Sequence, residues 1–388
     1  MTHEPTQFYG GVKRVKFEGY PSFSESTTRG AIETLRWSSI KLLCVREIAE
    51  EQLKAFNPNL DAERVSEAAT DIAAYLQQAL DFYLSSHTTS ESTRPLYLYY
   101  CYMNIAKAIV ELRNPGLRLR KLVHGISRQT SASSFLDESI EIKQEGIFPE
   151  LISIRKNFAW GRRSHRIAIV DLLSSMQSIT SECDLVFGKS FSPTYILDPL
   201  LVIDPNVNEF RFEFSVSTSQ LKSDESSRSL IDVLANAGVS IEELGITKVS
   251  RKLSPGMSVG VECRSYKSSD SWPYKTDSEA LDFTAKLFRQ MGASYRQHSG
   301  GNGTELYRYL DLSEWMPKWC RLDQMEIAYL VMYWFGSIVR YDPARLKVYQ
   351  ESKVWHVLEG FLHESVVEIW DDFDWALHNK LSVISRAL

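Results

Sequence analysis

Three groups of residues in this chain have types and spacings that chemistry uses. Arg118-Leu-Arg-Lys-Leu-Val-His124 places a histidine a short way after an arginine. Histidine exchanges a proton readily near neutral pH, and arginine can hold a phosphate bidentately, so the pair suits acid–base work on a phosphodiester. Arg120 and Lys121, between them, and Arg162-Arg163-Ser-His165-Arg166 extend the cationic character, with Phe158 and Trp160 close enough in sequence for base stacking. His356, Glu359 and His363 fall at i, i+3 and i+7, one face of a helix, but HxxExxxH is not the HExxH arrangement and has no water-activating partner. It reads as a surface face, and no metal or cofactor is expected. The glycines of His298-Ser-Gly-Gly-Asn-Gly303 fit neither a Walker nor a dinucleotide fingerprint and read as a turn. No GxSxG, no Cys/His arrangement at a recognisable spacing and no carboxylate pair offers another catalytic assignment.

The elements that must position these residues begin with Arg94–Ser127. Pro95 suits the first turn of a helix, with Ser92 or Thr93 as cap. From Leu96 to Leu112 nearly every position is apolar or aromatic, which predicts a helix buried on most sides. The exceptions, Tyr97, Tyr100, Asn104, Lys107 and Glu111, share one face. A buried amide or ammonium needs a partner. Either Lys107 pairs with Glu111 one turn on, or the stripe faces a ligand. Asn114-Pro115-Gly116 ends the helix. Late in the chain, Ala328–Phe335 is equally apolar, and its exceptions Glu326, Tyr333, Ser337 and Arg340 align as well. Two such helices bury their apolar sides most economically on each other, which would bring Asn104, Lys107, His124, Ser337 and Arg340 to a common pocket.

A chain of 388 residues, 44% hydrophobic and 12% aromatic, can bury a large core. Its net charge of -5 argues against a wholesale nucleic-acid coat. The charge is unevenly placed. Residues 113–166 hold eleven Lys/Arg against five acids, so the remainder carries -11. The segment 351–374 is acidic, a solvated face or an internal partner for the basic one. Five scattered cysteines without a CxxC pair suit a reducing compartment, and neither a signal core nor an apolar run of bilayer length is present. A cytoplasmic location without membrane association is expected.

Taken in order, residues 1–28 read as an extended arm. A helical N-terminal domain at 29–130 follows, with amphipathic helices at Ala31–Phe56 and Arg64–Ser86 parted by Asn57-Pro58-Asn59. Residues 131–312 form a central α+β region. There Phe210, Phe212, Phe214 and Val216 alternate with polar neighbours, as do Met257, Val259, Val261 and Cys263, while Ser226–Ala237 and Ser278–Met291 have helical character. A helical C-terminal part at 313–388 packs back on the N-terminal domain. The fold class is α+β, predominantly helical, with a central α+β insert.

Arg94-Pro-Leu-Tyr-Leu-Tyr-Tyr100 running to Asn104-Ile-Ala-Lys107-Ala108, then His124-Gly125-Ile126, Gly146-Ile-Phe148 and Ser337-Ile-Val-Arg340-Tyr341 with Pro343, resemble the YaaC-like family of bacterial proteins. The resemblance spans most of the chain. It implies helical ends around a variable middle, directs attention to Asn104, Lys107, His124 and Arg340, and supplies no reaction. Trp334-Phe-Gly336 departs from the more regular run expected there. Separately, the Arg118 to His124 spacing is similar to that of HEPN ribonucleases, a likeness that implies metal-independent cleavage of RNA. The expectation is therefore a binder of a phosphate-bearing ligand, nucleic acid or nucleotide, at a basic pocket. Its alternatives are a ribonuclease using Arg118 and His124, or a non-enzymatic subunit or homo-oligomer in which the arm docks on a partner.

Overall fold

In the computed structural model, strands β1 (Gln7–Tyr9), β2 (Val12–Lys16) and β3 (Ser22–Ser26) precede helices α1 (Arg46–Phe56), α2 (Ala62–Thr88) and α3 (Arg94–Arg113). β4 (Ile126–Arg128), β5 (Ser139–Ile142), α4 (Ile147–Lys156), β6 (His165–Ala168), α5 (Ile169–Ser174) and α6 (Thr180–Phe187) follow. Then come β7 (Thr194–Asp204), β8 (Glu209–Ser217), β9 (Ile241–Ser254), β10 (Met257–Ser268), β11 (Trp272–Pro273), β12 (Ser294–Gly300) and β13 (Gly303–Leu310). The last elements are α7 (Gln324–Tyr341), α8 (Pro343–Gln350), α9 (Val354–Glu368) and β14 (Ser382–Arg386). The structure describes residues 7–9, 12–16, 22–26, 37–38, 40–117, 119, 123–129, 132–156, 164–189, 194–204, 206–219, 221, 230–235, 238–254, 257–276, 279–280, 283, 287, 294–300, 303–310, 321–368, 373, 376–377 and 382–386.

These elements form an α+β fold in which helix outweighs strand, built as two compact units: residues 20–191 with 324–387, and residues 1–19 with 192–323 and 388. The second unit is an antiparallel sheet in the order β1-β2-β7-β8-β10-β9, with β13 also on β7, β12 on β13 and β11 on β8. Alternation along β8 buries Phe210, Phe212, Phe214 and Val216, which pack with Tyr266 of β10 and with Leu230, Leu234 and Leu287. The expected turn after His298 is the end of the β12–β13 hairpin, where Gly300 pairs with Gly303.

In the helical unit, N- and C-terminal helices pack together: α3 lies against α1, α2, α4 and α7. The expected central region 131–312 is divided between the units, because β4–β6 and α4–α6 belong to the helical one. The arm is divided too, with β1 and β2 joining the sheet through β7 while β3 pairs in parallel with β14. The helix expected over Ala31–Phe56 is interrupted at Cys44–Val45. Val45 adopts extended backbone (φ -86, ψ 118) ahead of α1, and the break lets Ile40 and Leu43 before it and Ala49 and Leu53 after it all reach the core. α2 is capped by Asp61, whose carboxylate accepts from the Arg64 amide at 2.8 Å, and it buries Val65, Ala68, Ala69, Ile72, Leu76, Ala79 and Tyr83 at helical spacing. Thr93 precedes α3 without capping it, since its hydroxyl bonds Ser90 and Thr89 instead. Among the described residues no helix is long and apolar enough to cross a membrane.

α3 and α7 meet where one side chain is missing. A Cβ on Gly336 would stand 3.1 Å from the Tyr99 Cβ, so glycine is what lets the two helices approach at that level. The Trp334-Phe-Gly336 departure is thus part of the contact. Trp334 and Phe335 are fully buried on either side of it.

Candidate functional site

The polar stripe of α3 does not resolve as a single network. Glu111, buried, pairs with Arg64 of α2 rather than with Lys107. Lys107 lies with its ammonium 5.3 Å from the centre of the Tyr75 ring, and burial lowers its pKa from the usual lysine range. Among the described residues it has no carboxylate partner. Asn104, 2% exposed, donates Nδ2–H to the Tyr100 carbonyl at 3.0 Å, one turn back. Its Oδ1 is buried and accepts from no described residue. An orphaned acceptor of this kind costs about 1–3 kcal/mol.

The stripe of α7 also divides. Glu326, fully buried near the helix start, pairs with Lys156 at 3.1 Å and Arg155 at 3.5 Å, both from α4. Part of the basic segment is thereby neutralised internally. At the other end of α7, Arg340 is exposed, donates from Nη1 to the Tyr100 hydroxyl at 2.9 Å and stands over the Tyr341 ring. Like Lys107, it has no carboxylate partner among the described residues. Ser337 spends its hydroxyl on the Tyr333 carbonyl at 2.8 Å.

His124 joins these two helix faces. Its backbone is set by two glycines pressed together. Gly125 (φ +76) and Gly146 (φ +134) leave so little room that a Cβ on Gly146 would lie 2.4 Å from the Gly125 Cα. Positive φ and absent side chains are both required there. The carbonyls of Val123 and His124 then accept from the Ile147 and Phe148 amides at 3.0 and 3.2 Å, satisfying the first donors of α4. β4 continues from this turn into the β4-β5-β6 sheet.

The His124 ring is anchored by Tyr99, whose hydroxyl is 2.8 Å from Nδ1. The rings of Tyr99 and Tyr333 lie edge-on at 5.4 Å, and that of Tyr333 is 6.1 Å from His124. Burial, and then the positive charges of Lys107 and Arg340, lower the His124 pKa below its ordinary value. Burial holds the Tyr99 phenol far above its own, so it keeps its proton. The phenol thus holds the imidazole through Nδ1 and also donates to the Met103 thioether at 3.6 Å. Half-buried Tyr100 and Tyr333 flank the group, with Phe82 stacked on Tyr100 at 5.1 Å.

Asn104, His124, Ser337 and Arg340 thus each bond a residue of the Tyr99–Tyr100–Tyr333 aromatic group, while Lys107, one turn along α3 from Asn104, stands over Tyr75. Arg118, Arg120, Lys121, Arg162 and Arg163 lie outside the described residues, as do Phe158 and Trp160. Spacing puts Tyr333 in the polar stripe of α7 but does not single out Tyr99. Tyr99 sits on the apolar side of α3, and only the α7 contact shows that its hydroxyl faces His124.

A second polar group packs elsewhere in the same unit. Glu138, 0% exposed, accepts from Arg128 through both oxygens at 3.1 and 2.9 Å, from Trp334 Nε1 at 2.9 Å, from Arg345 at 2.7 Å and from the Tyr349 hydroxyl at 2.8 Å. Burial pushes its pKa up, but these four donors outweigh that and hold it below the ordinary carboxylate value. Asp342 adds a second carboxylate to Arg128 and Arg345. Of the HxxExxxH residues, Glu359 and His363 approach Glu91, their ligand atoms all within 4.8 Å of one another. The Arg94 guanidinium, 3.3 Å from His363 Nδ1, already places a cation beside them.

No curated protein and no solved structure matches this sequence. Residues 44–365 do match a family described as YaaC-like Protein. That match covers α1 through most of α9, including every helix that shapes the His124 group, and the chain belongs to the YaaC-like family.

Proposed function

We propose that the protein binds a phosphate-bearing ligand, a nucleotide or nucleic acid, at the His124 group between α3 and α7. The observation that carries this reading is the pair Lys107 and Arg340. Both are cations without a carboxylate partner among the described residues, and both lie close enough to His124 for their charge to lower its pKa. Elsewhere in the unit Arg64, Arg128, Arg155 and Lys156 are matched by acids, while half-buried Arg113 has the Ala376 carbonyl and the Phe56 ring. A dianionic phosphate supplies the missing charge, accepting from the Arg340 guanidinium and the Lys107 ammonium.

A thermal-shift screen of nucleotides and of RNA and DNA oligomers tests the reading. A ligand at about a hundredfold over its dissociation constant adds roughly 2.7 kcal/mol of stability. A shift in the wild type that disappears in Lys107→Ala/Arg340→Ala is the expected result. No shift with any phosphate compound, or an equal shift in the double variant, removes it.

A metal-independent ribonuclease using Arg118 and His124 makes a different demand, because a general base needs a free imidazole lone pair. The Tyr99 hydroxyl, 2.8 Å from Nδ1, already engages one of the two ring nitrogens, which favours binding over catalysis. Labelled RNA incubated with the protein in EDTA separates the two. Cleavage that is lost in His124→Ala would replace the binding reading with the enzymatic one.

A further inference from the structure

The two ends of the main strand order in the sheet unit are built differently. At one end stands β1, three residues long, a short edge of the kind that resists further pairing. At the other stands β9, fourteen residues long. Among the described residues β10 is its one strand partner, so a row of β9 backbone N–H and C=O groups faces outward. The first half of the strand is open to solvent. Glu242, Glu243 and Thr247 are exposed, as are Leu244 (50%) and Ile246 (62%). The second half runs past the rest of the sheet. Among the described strands, β8 is in register with β10 only from Cys263 to Lys267, whereas β9 pairs with β10 as far as Met257. From Lys248 onward the hairpin is therefore a two-stranded ribbon, which is marginal alone and gains from a further strand.

Charge decides which strand fits. β9 is acidic and then basic along its length, with Glu242 and Glu243 at its start and Lys248, Arg251 and Lys252 towards its end. β10 answers part of this pattern. Lys267 pairs with Glu242 at 3.1 Å, Arg264 pairs with Glu243 at 3.6 Å, and Glu262 is in register with Lys248. Opposite Arg251 and Lys252, however, β10 places Val259 and Ser258, which carry no charge. An antiparallel second copy of β9 supplies what β10 lacks. Reversing the strand brings the Glu242–Glu243 end of each chain alongside the Arg251–Lys252 end of the other, and opposite charges across neighbouring strands attract. A two-fold axis at Thr247 achieves this in one isologous contact and sets no like charges opposite each other. That axis falls within Gly245 to Lys252, the regular run between the two register shifts of the hairpin. The same arrangement lays a strand beside Leu244 and Ile246. We propose that two copies of this chain associate through their β9 edges, antiparallel, joining the two β9–β10 hairpins into one four-stranded ribbon. The contact is independent of the His124 group.

The test is size exclusion with light scattering on the full chain, where the wild type should elute at twice the chain mass. Reversing the charge at one end of the strand, Glu242→Lys/Glu243→Lys, or at the other, Arg251→Glu/Lys252→Glu, sets like charges against each other across the axis. Each variant alone should therefore run at the mass of a single chain. Mixed in equal amounts, the two variants are complementary again and should recover a species of twice the mass holding one chain of each, which an affinity tag on one of them identifies. Misfolding cannot imitate that recovery. Exposed ion pairs such as Glu242 with Lys267 contribute little to stability, so the melting temperature of each variant should stay close to that of a single wild-type chain. A wild type of single-chain mass overturns the inference. So does a double-mass species that survives either charge reversal, since its contact then lies elsewhere on the chain, and so do two variants that fail to recombine.

Discussion

The Glu138 and His124 groups sit in the same helical unit, are built from the same kinds of residue and draw on the same late helix, α7. They differ in closure. Around Glu138 two arginines, an indole N–H and a phenol converge on one carboxylate with a second acid at the rim, so charge and hydrogen bonds are answered internally. Around His124 two cations and a buried amide oxygen are left over. A closed group of this kind fixes architecture, and an open one keeps polar atoms that the described residues do not answer.

Breaking the closed group should produce the largest effect. Glu138→Ala leaves Arg128 and Arg345 with only Asp342 at the rim, and losing one partner of a buried ion pair costs about 3–5 kcal/mol. Chemical denaturation should register that loss, while ligand affinity of the folded fraction stays within about twofold. The carboxylate is held below its ordinary pKa, so its contribution is present above the unfolded carboxylate value and is lost as pH falls through the folded one.

Next in size is the turn that sets His124. Gly125→Ala forces a Cβ to within 2.4 Å of Pro149 and into a positive-φ backbone, a strain of about 1–3 kcal/mol. Because the strain moves the imidazole, ligand affinity should fall together with stability, unlike the Glu138 result. Equal affinity in Gly125→Ala would mean that the turn does not position the site.

Opening the open group further should cost little stability. Arg340→Ala removes an exposed cation with a single hydrogen bond to Tyr100, and its unfolding free energy should stay within about 0.5 kcal/mol of wild type. Phosphate-ligand affinity should drop tenfold or more. The smallest effect is a pH slope. His124 faces Tyr99, Tyr333, Lys107 and Arg340, and its folded pKa is depressed, so the unfolded chain takes up a proton that the folded one refuses. Stability from this group is intact above the unfolded histidine value, about 6.5, and declines as pH falls below it. His165 is shifted in the same direction, so the measurement is the difference between wild type and His124→Gln from pH 7.5 to 5. Identical slopes would rule out a depressed His124.

What the sequence discloses follows the range over which each interaction acts. Alternation in β8 and the 3.6-residue period of α2 are local, and both elements lie where their patterns place them. The stripe of Tyr97, Tyr100, Asn104 and Lys107 is legible for the same reason. Partners are another matter. Glu111 turned to Arg64 on a neighbouring helix, Glu326 to Lys156, and Glu138 to residues as distant as Arg345 and Tyr349. No spacing within one helix encodes those choices. Gly336 reads in sequence as a weak point in a helix, and only Tyr99 packed over it shows why a larger residue is unsuitable.

The Gly336–Tyr99 contact also sets a timetable for synthesis. Tyr99 leaves the ribosome early, but its cover arrives only after residues 192–323, which belong to the sheet unit, have been translated. At about 5–20 residues per second the apolar side of α3 then waits on the order of tens of seconds for α7. Nascent chains stopped before residue 324 should accordingly be the form that chaperones capture, because α3 has been made and the helix that packs over Tyr99 has not.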